Sequence, residues 1–340
     1  MDNKYKAKLG ISIGDINGIG PEVVIKTLSD QRILNFCTPV IYASASLLNK
    51  VRKALSAEHF NYQQVDHADA LVPRKVNLIS VWQEDIELTP GNPTPASGKA
   101  SLASLMAASA DLKAGKLDGL VTAPIDKDNI QAEEFRFPGH TEFLTSYFDA
   151  ADSLMLLVSG ALRVATVTGH MPLKEVANRL TPELIIRKIT ILLESLRQDF
   201  GILKPRIAVL GLNPHAGEKG LLGTEEIEII RPAIMQLKDR GHLVFGPYPA
   251  DGYFGMRQYH QVDAVLSMYH DQGLIPFKTL AFENGVNYTA GLPVVRTSPD
   301  HGTAYDIAGK HIADETSFRE ALFLACDIIK KRTMEQMPVV

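Results

Sequence analysis

The chain reads as an α/β protein built on a mainly parallel sheet with helices on both faces. Three observations predict this. Short β-branched, apolar runs alternate with helical patterns over nearly the full length, the order that βαβ units impose. At 340 residues the chain is too long for one ordinary core, so two lobes are expected. Hydrophobic residues make up 45% and charged residues 22%, the balance of a globular protein with a sizeable interior.

Taken in order, the first strand is read at Leu9–Gly14 and leads into a helix over Glu22–Leu28, behind Pro21, a favoured first-turn residue. Strands follow at Val40–Ala43 and Val76–Val81. Pro90–Pro95 is the most loop-like stretch and reads as an irregular connection. Ala100–Ala114 is an Ala/Leu/Ser-rich helix ending at Gly115, a C-cap residue. Strands at Gly119–Thr122, Leu154–Val158 and Arg163–Thr168 precede a helix over Thr181–Gln198, whose Thr-Pro-Glu opening reads as N-cap and first turn. Then come strand Arg206–Leu210, helix Glu225–Arg240 before Gly241, strands Leu243–Phe245 and Ala264–Met268, and a closing helix over Ser317–Lys331. No internal repeat or low-complexity segment is present.

Bulk properties exclude several functions. The formal net charge is −4 with no basic run, which argues against a nucleic-acid partner. Cys37 and Cys326 stand far apart in apolar or helical contexts, as small hydrophobes in a reducing compartment do. The start is basic, but the apolar run Leu9–Gly14 is too short for a signal-peptide core. No stretch approaches a membrane span. A cytoplasmic protein is expected.

Three histidines carry the clearest chemical signal. His170 lies in Thr168-Gly169-His170-Met171-Pro172-Leu173, His215 in Asn213-Pro214-His215-Ala216-Gly217, and His270 in Met268-Tyr269-His270-Asp271-Gln272-Gly273. Each sits at or just beyond the end of a predicted strand, where open α/β sheets bind ligands. Three imidazoles delivered there match a catalytic zinc site with one position left open. Any one alone would pass for a surface or capping histidine.

Four further segments bear chemistry. Gly14–Glu22 holds three glycines between strand and helix, so it is either an anion-binding loop or a tight βα turn; it is not the dinucleotide G-x-G-x-x-G pattern. In Phe137–Phe143, His140 and Thr141 stand at a helix start, as donors to an anion or as a plain N-cap. Lys278, Asn287 and Arg296 punctuate an otherwise apolar stretch, which suits an anionic substrate. Asp300–Lys310 reads as a loop with one helical turn bracketed by Gly302 and Gly309. Asp251 and Asp271 are candidates to hold a ligand histidine by its second nitrogen, with a turn or capping role as the alternative.

Together these strings resemble the 4-hydroxythreonine-4-phosphate dehydrogenase family of vitamin B6 biosynthesis. The resemblance runs from Gly14–Glu22 through Val121–Pro124, Gly139–Glu142, Gly169–Leu173, Leu212–Gly217, Pro249–Asp251, Met268–Gly273 and Gly291–Gly309. Two departures are visible: Ile16 where the family usually has Pro, and Gly169 where a second Thr is common. The resemblance implies a two-lobed isocitrate/isopropylmalate dehydrogenase-like fold, with a cofactor-side lobe over residues 1–135 plus 291–340 and a metal, substrate and dimerisation lobe over 136–290. It implies His170, His215 and His270 as ligands of one divalent metal, zinc first with magnesium or cobalt as alternatives. It implies His140, Thr141, Lys278, Asn287 and Arg296 as substrate contacts, and a homodimer whose site draws metal ligands from both subunits. Asp300, His301, Gly302, Thr303, Ala304, Asp306 and Gly309 match the adenine-side loop for NAD, or NADP. The proton-transfer residue is sought among Lys278, Asp251 and Asp271.

The reaction so implied is NAD-dependent oxidation of the C3 alcohol of 4-phosphooxy-L-threonine, followed by loss of CO2 to give 3-amino-2-oxopropyl phosphate. A dehydrogenase of 4-phospho-D-erythronate or 4-phospho-D-threonate is the nearest alternative. Phosphate acyltransferases share the fold, but need neither three histidine ligands nor an adenine loop, and a non-catalytic binding protein has no use for an open metal site.

Overall fold

The computed structural model describes residues 6–133 and 135–335. The basic start falls largely on residues 1–5, outside the described residues. The chain divides into two compact units, residues 1–150 with 292–333 and residues 151–291 with 334–340. In the first unit, β1 (Ala7–Ser12), α1 (Gly20–Ser29), β2 (Cys37–Ala43), α2 (Ala45–Ala54), β3 (Tyr62–Val65), β4 (Val76–Ser80), α3 (Pro95–Lys113), β5 (Gly119–Thr122) and α4 (His140–Tyr147) follow one another. The second unit carries β6 (Leu154–Ser159), β7 (Leu162–Thr166), α5 (Leu173–Arg179), α6 (Pro182–Gln198), β8 (Arg206–Leu210), α7 (Arg231–Asp239), β9 (Leu243–Tyr248), α8 (Ala250–Gly255), β10 (Ala264–Ser267), α9 (His270–Ala281) and β11 (Val286–Ala290). The chain returns to the first unit for β12 (Val295–Pro299) and α10 (Thr316–Glu335).

In the first unit the strand order is β3-β4-β2-β1-β5-β12, all parallel. In the second it is β11-β6-β7-β10-β8-β9, parallel except where β6 meets β11 and β7. The mainly parallel α/β class read from the sequence is therefore what the chain forms. Among the described residues, no helix is long and apolar enough to cross a membrane.

Local chemistry explains the elements. Thr94 caps α3 with a reciprocal capping box to Ser97, and Pro95 takes the first turn; the proline-rich stretch thus ends in the helix rather than before it. The buried small face of α3 seats it on the sheet: Ser104 Oγ accepts from Ile13 N at 2.9 Å and donates to Tyr42 O at 2.6 Å. Thr181 accepts from Leu184 N to start α6, which buries Ile185, Ile189, Leu192, Leu193 and Leu196. The helix read over Glu225–Arg240 opens instead as a π turn over Glu226–Ile230 before α7, because Pro232 has no N–H to continue the regular ladder.

The first glycine loop is a packing device. A Cβ on Gly14 (φ 72°) would lie 2.3 Å from Pro124 O, and one on Gly20 would lie 2.5 Å from Ile13 O. The sequence places a division after residue 135, whereas it falls after Ala150, because Phe143 and Leu144 of α4 join the core of the first unit with Leu105, Leu120 and Phe135.

Candidate active site

In the second unit β7, β10 and β8 lie side by side and parallel, so their carboxyl ends open on one edge. His170 follows β7, His270 opens α9 directly behind β10, and His215 follows β8. The structure brings His170 and His270 together, with ring centroids 5.2 Å apart and planes at 43°. They line a cleft with Met171, Leu173, Val176 and Tyr269. Asp271 Oδ1 lies 2.7 Å from His270 Nδ1, which leaves Nε2 as the outward nitrogen. Asp251, the other candidate for that part, is exposed on α8.

His215 is not brought to this pair. Residues 215–219 all have positive φ, a left-handed turn that leaves His215 exposed. The turn is fixed at its root by buried Glu226, which accepts from Leu212 N at 2.8 Å, Asn213 N at 2.7 Å and Asn213 Nδ2 at 3.0 Å. Among the described residues, no three His, Cys, Asp or Glu side chains converge as a metal-ligand group.

The pair nevertheless fits a shared ion. With a metal–nitrogen distance of about 2.1 Å and about 1.1 Å from ring nitrogen to ring centre, two imidazoles at a tetrahedral angle have centroids about 5 Å apart. The observed separation is that distance, and the carboxylate on His270 Nδ1 is the usual support for a ligand imidazole. Two neutral nitrogen donors suit zinc or cobalt better than magnesium, which prefers oxygen. Gly169 leaves open space where a side chain would stand.

The residues expected to hold the substrate divide between the units. In the first, Arg296 on β12 is 2% exposed and donates from Nε and Nη2 to Thr122 Oγ1 on β5, at 3.2 and 2.7 Å. Burial pulls its pKa down to about 10, against the nearby Glu142 carboxylate, so it is still a cation at neutral pH. His140 opens α4 behind Gly139. Burial first, then the positive charges of Arg296 and Lys127, holds its imidazole well below the usual histidine range. Although the residue as a whole is half-buried, its Nε2 is fully buried and meets no hydrogen-bond partner among the described residues. A buried polar atom left this way is open to a water or to a ligand group. Thr141 follows in the same first turn. In the second unit, Lys278 is half-buried on α9, and Asn287 on β11 has a buried Oδ1 with no hydrogen-bond partner among the described residues.

The Asp300–Gly309 loop packs in the first unit. Thr303 O accepts from Ile19 N at 3.0 Å, and Tyr305 OH donates to Asp126 Oδ2 at 3.2 Å. Gly309 (φ 77°) is required by packing, since a Cβ would lie 2.7 Å from Pro90. Gly302, where a Cβ would meet nothing, and exposed Asp306 are the positions left open to a ligand. Ala304 (φ 45°) lies between them. Asp300 N donates to Ser317 Oγ at 3.1 Å, and His301 Nδ1 lies 3.0 Å from Gly302 O.

Sequence reasoning gave Thr122 and Gln272 no role, although both stand inside strings singled out above. Each acts on a partner distant in sequence, which residue type alone does not disclose.

The chain is similar to known proteins over nearly its whole length. Residues 35–325 match the family model described as pyridoxal phosphate biosynthetic protein PdxA. A 4-hydroxythreonine-4-phosphate dehydrogenase of Bacteroides thetaiotaomicron is 49% identical over 332 residues, 97% of this chain and 91% of the relative. The crystal structure of a 4-hydroxythreonine-4-phosphate dehydrogenase from Klebsiella pneumoniae superposes with a TM-score of 0.80 at 35% identity, covering 96% of this chain and 99% of that one. An isocitrate dehydrogenase from Methylococcus capsulatus, 13% identical with a TM-score of 0.50, covers 96% of this chain and 87% of its own and shares the fold alone. The chain is a dehydrogenase and belongs to the PdxA family of pyridoxal phosphate biosynthetic proteins.

Proposed function

We propose that this chain oxidises the C3 alcohol of 4-phosphooxy-L-threonine with NAD+ and releases CO2, giving 3-amino-2-oxopropyl phosphate. The observation that carries the reading is the His170–His270 pair, set at the spacing of two ligands on one ion and backed by Asp271. When bound, NAD+ supplies the hydride acceptor, and a divalent ion held by the His170–His270 pair would supply the Lewis acidity that eases loss of the alcohol proton and of CO2, with His215 a third ligand only if its turn closes on the pair.

The chain's own residues do the rest. Arg296 is a fixed, desolvated cation for an anionic substrate group. His140 offers its unpartnered Nε2 and Thr141 its hydroxyl at the start of α4. Asn287 Oδ1 is an acceptor waiting for a donor such as a substrate amine or hydroxyl. Asp271 is engaged with His270, which leaves Asp251 as the carboxylate to take the alcohol proton, while Lys278 serves as a cation for an anionic substrate group. Asp306, exposed in the same loop as Gly302, would meet a ribose hydroxyl and repel a 2′-phosphate, favouring NAD over NADP. By the family resemblance we take the enzyme to be a cytoplasmic homodimer; Leu221, Leu222, Met256, Ile275 and Phe282 are exposed apolar residues of the second unit.

The test is steady-state NADH formation with 4-phosphooxy-L-threonine, 4-phospho-D-erythronate and 4-phospho-D-threonate in parallel. The amino-bearing substrate should give the highest kcat/KM. A higher value for either deamino acid would transfer the assignment to that substrate.

A further inference from the structure

The carboxyl ends of β7, β10 and β8 are stitched together by side chains as well as by the ladders. Thr168 Oγ1 donates to Met268 O at 2.8 Å. Met268 N donates to Gln272 Oε1 at 2.7 Å, and Gln272 Nε2 donates to Gly211 O at 2.6 Å. These bonds run from the residue two before His170, through the residue two before His270, to the root of the turn that bears His215. Met268 is fully buried and Thr168 is 2% exposed, so water competes weakly for this chain of bonds.

Gln272 suits the place because a carboxamide has an acceptor and a donor side by side. Its orientation follows from its partners, a main-chain N–H on one side and a main-chain carbonyl on the other. The first turn of α9 is seated closely on the sheet, with no room to shift further inward: a Cβ on Gly273 would lie 2.4 Å from Ser267 Oγ and 3.0 Å from Val164 Cγ1. Gln272 itself is not among the residues that line the cleft.

We propose that Gln272 is a positioning residue that sets the spacing of the strand ends carrying His170, His270 and His215, and through it the metal affinity of the site. The proposal rests on the metal reading above. Two substitutions separate the bonds. Gln272→Glu keeps the acceptor for Met268 N but sets a carboxylate oxygen against Gly211 O. Gln272→Met keeps the length and removes both bonds.

Zn2+ and Co2+ affinities would be measured on the purified full chain by competition with a chromophoric chelator, together with the visible spectrum of the Co2+ form and the far-UV circular dichroism melt. Supporting partners of metal ligands typically alter affinity by roughly 10- to 100-fold. Gln272→Met should bind at least about tenfold more weakly than the unaltered protein, with a changed Co2+ spectrum, and Gln272→Glu should fall between. If Gln272→Met does not fold, Gln272→Glu decides alone, by the same loss of affinity and change of spectrum. Affinities within twofold and an unchanged spectrum, in a protein whose binding is abolished by His170→Ala, would overturn the role of Gln272 alone. Failure of the unaltered protein to bind either ion, or binding that survives both His170→Ala and His270→Ala, would overturn the metal reading and this proposal with it.

Discussion

The depressed pKa of His140 makes a quantitative prediction about acid stability. An unfolded histidine titrates near 6.5, and burial beside Arg296 and Lys127 holds the folded one well below that. Between the two values the unfolded chain binds a proton that the folded chain does not, so stability falls as pH drops through 6.5 and rises again as pH is raised. One such group removes about 1.4 kcal/mol by one pH unit below its unfolded value, and about 2.7 kcal/mol by two, provided the folded group is still neutral there. His140→Gln removes the term while keeping polar atoms in the cavity. Trp82, the single tryptophan, lies in the first unit with His140 and reports its unfolding. Urea unfolding by Trp82 fluorescence, from pH 7.5 to 5, should show the advantage of wild type over variant shrinking as pH falls below 6.5, by at most about 1.4 kcal/mol near pH 5.5. Other histidines cancel in the difference. Parallel pH curves for the two proteins would refute the argument. An anion bound at Nε2 favours the imidazolium, so saturating inorganic phosphate should flatten the wild-type slope.

Other expectations follow from the site. His170→Ala and His270→Ala should each lose tightly bound metal and most turnover, checked by metal analysis after dialysis; His215→Ala should do the same if the third imidazole joins the set, and unaltered metal content would remove it. Lys278→Ala and Arg296→Ala should each cost on the order of 2–4 kcal/mol in kcat/KM through loss of a charge-assisted contact, and a change within twofold would exclude the residue. Asp306→Ala should raise the efficiency of NADP relative to NAD, read from KM for both, and an unchanged ratio would remove Asp306 from the ribose.

The fold was legible where local signals agreed and hidden where function or the sheet edge overrode them. Helix α6, with its Thr181 cap and five regularly spaced apolar residues, is read almost to the residue. Strand β3 is half-exposed and polar along Gln63 and Gln64, so it offers no apolar run. Strands β11 and β12 are interrupted by Asn287 and Arg296, the residues assigned to substrate. Helix α9 contains Gly273 and Pro276, both poor helix formers. Gly273 is there because α9 must lie against Ser267, and a larger residue would lift His270 off the strand end. Local rules fail here because close approach and chemistry were satisfied first.

The site divides along the same line. That three histidines end three strands is a one-dimensional fact, visible in the spacing of apolar runs and glycines. That β7, β10 and β8 are neighbours is not, because parallel order depends on crossovers that the sequence does not rank. Nor do the residues themselves announce that two imidazoles meet while the third is carried off on a left-handed turn. That turn depends on Glu226, a buried carboxylate that spends its oxygens on the main chain at Leu212 and Asn213. The same holds for Arg296, whose cationic character is plain in the sequence but whose force as an anion site comes from burial against Thr122. A guanidinium in water gives little to a phosphate or carboxylate that solvent does not already give. One held dry by a neighbouring strand gives a charge whose desolvation has been met by folding, and that, rather than the presence of an arginine, is what suits β12 to the anionic substrate proposed above.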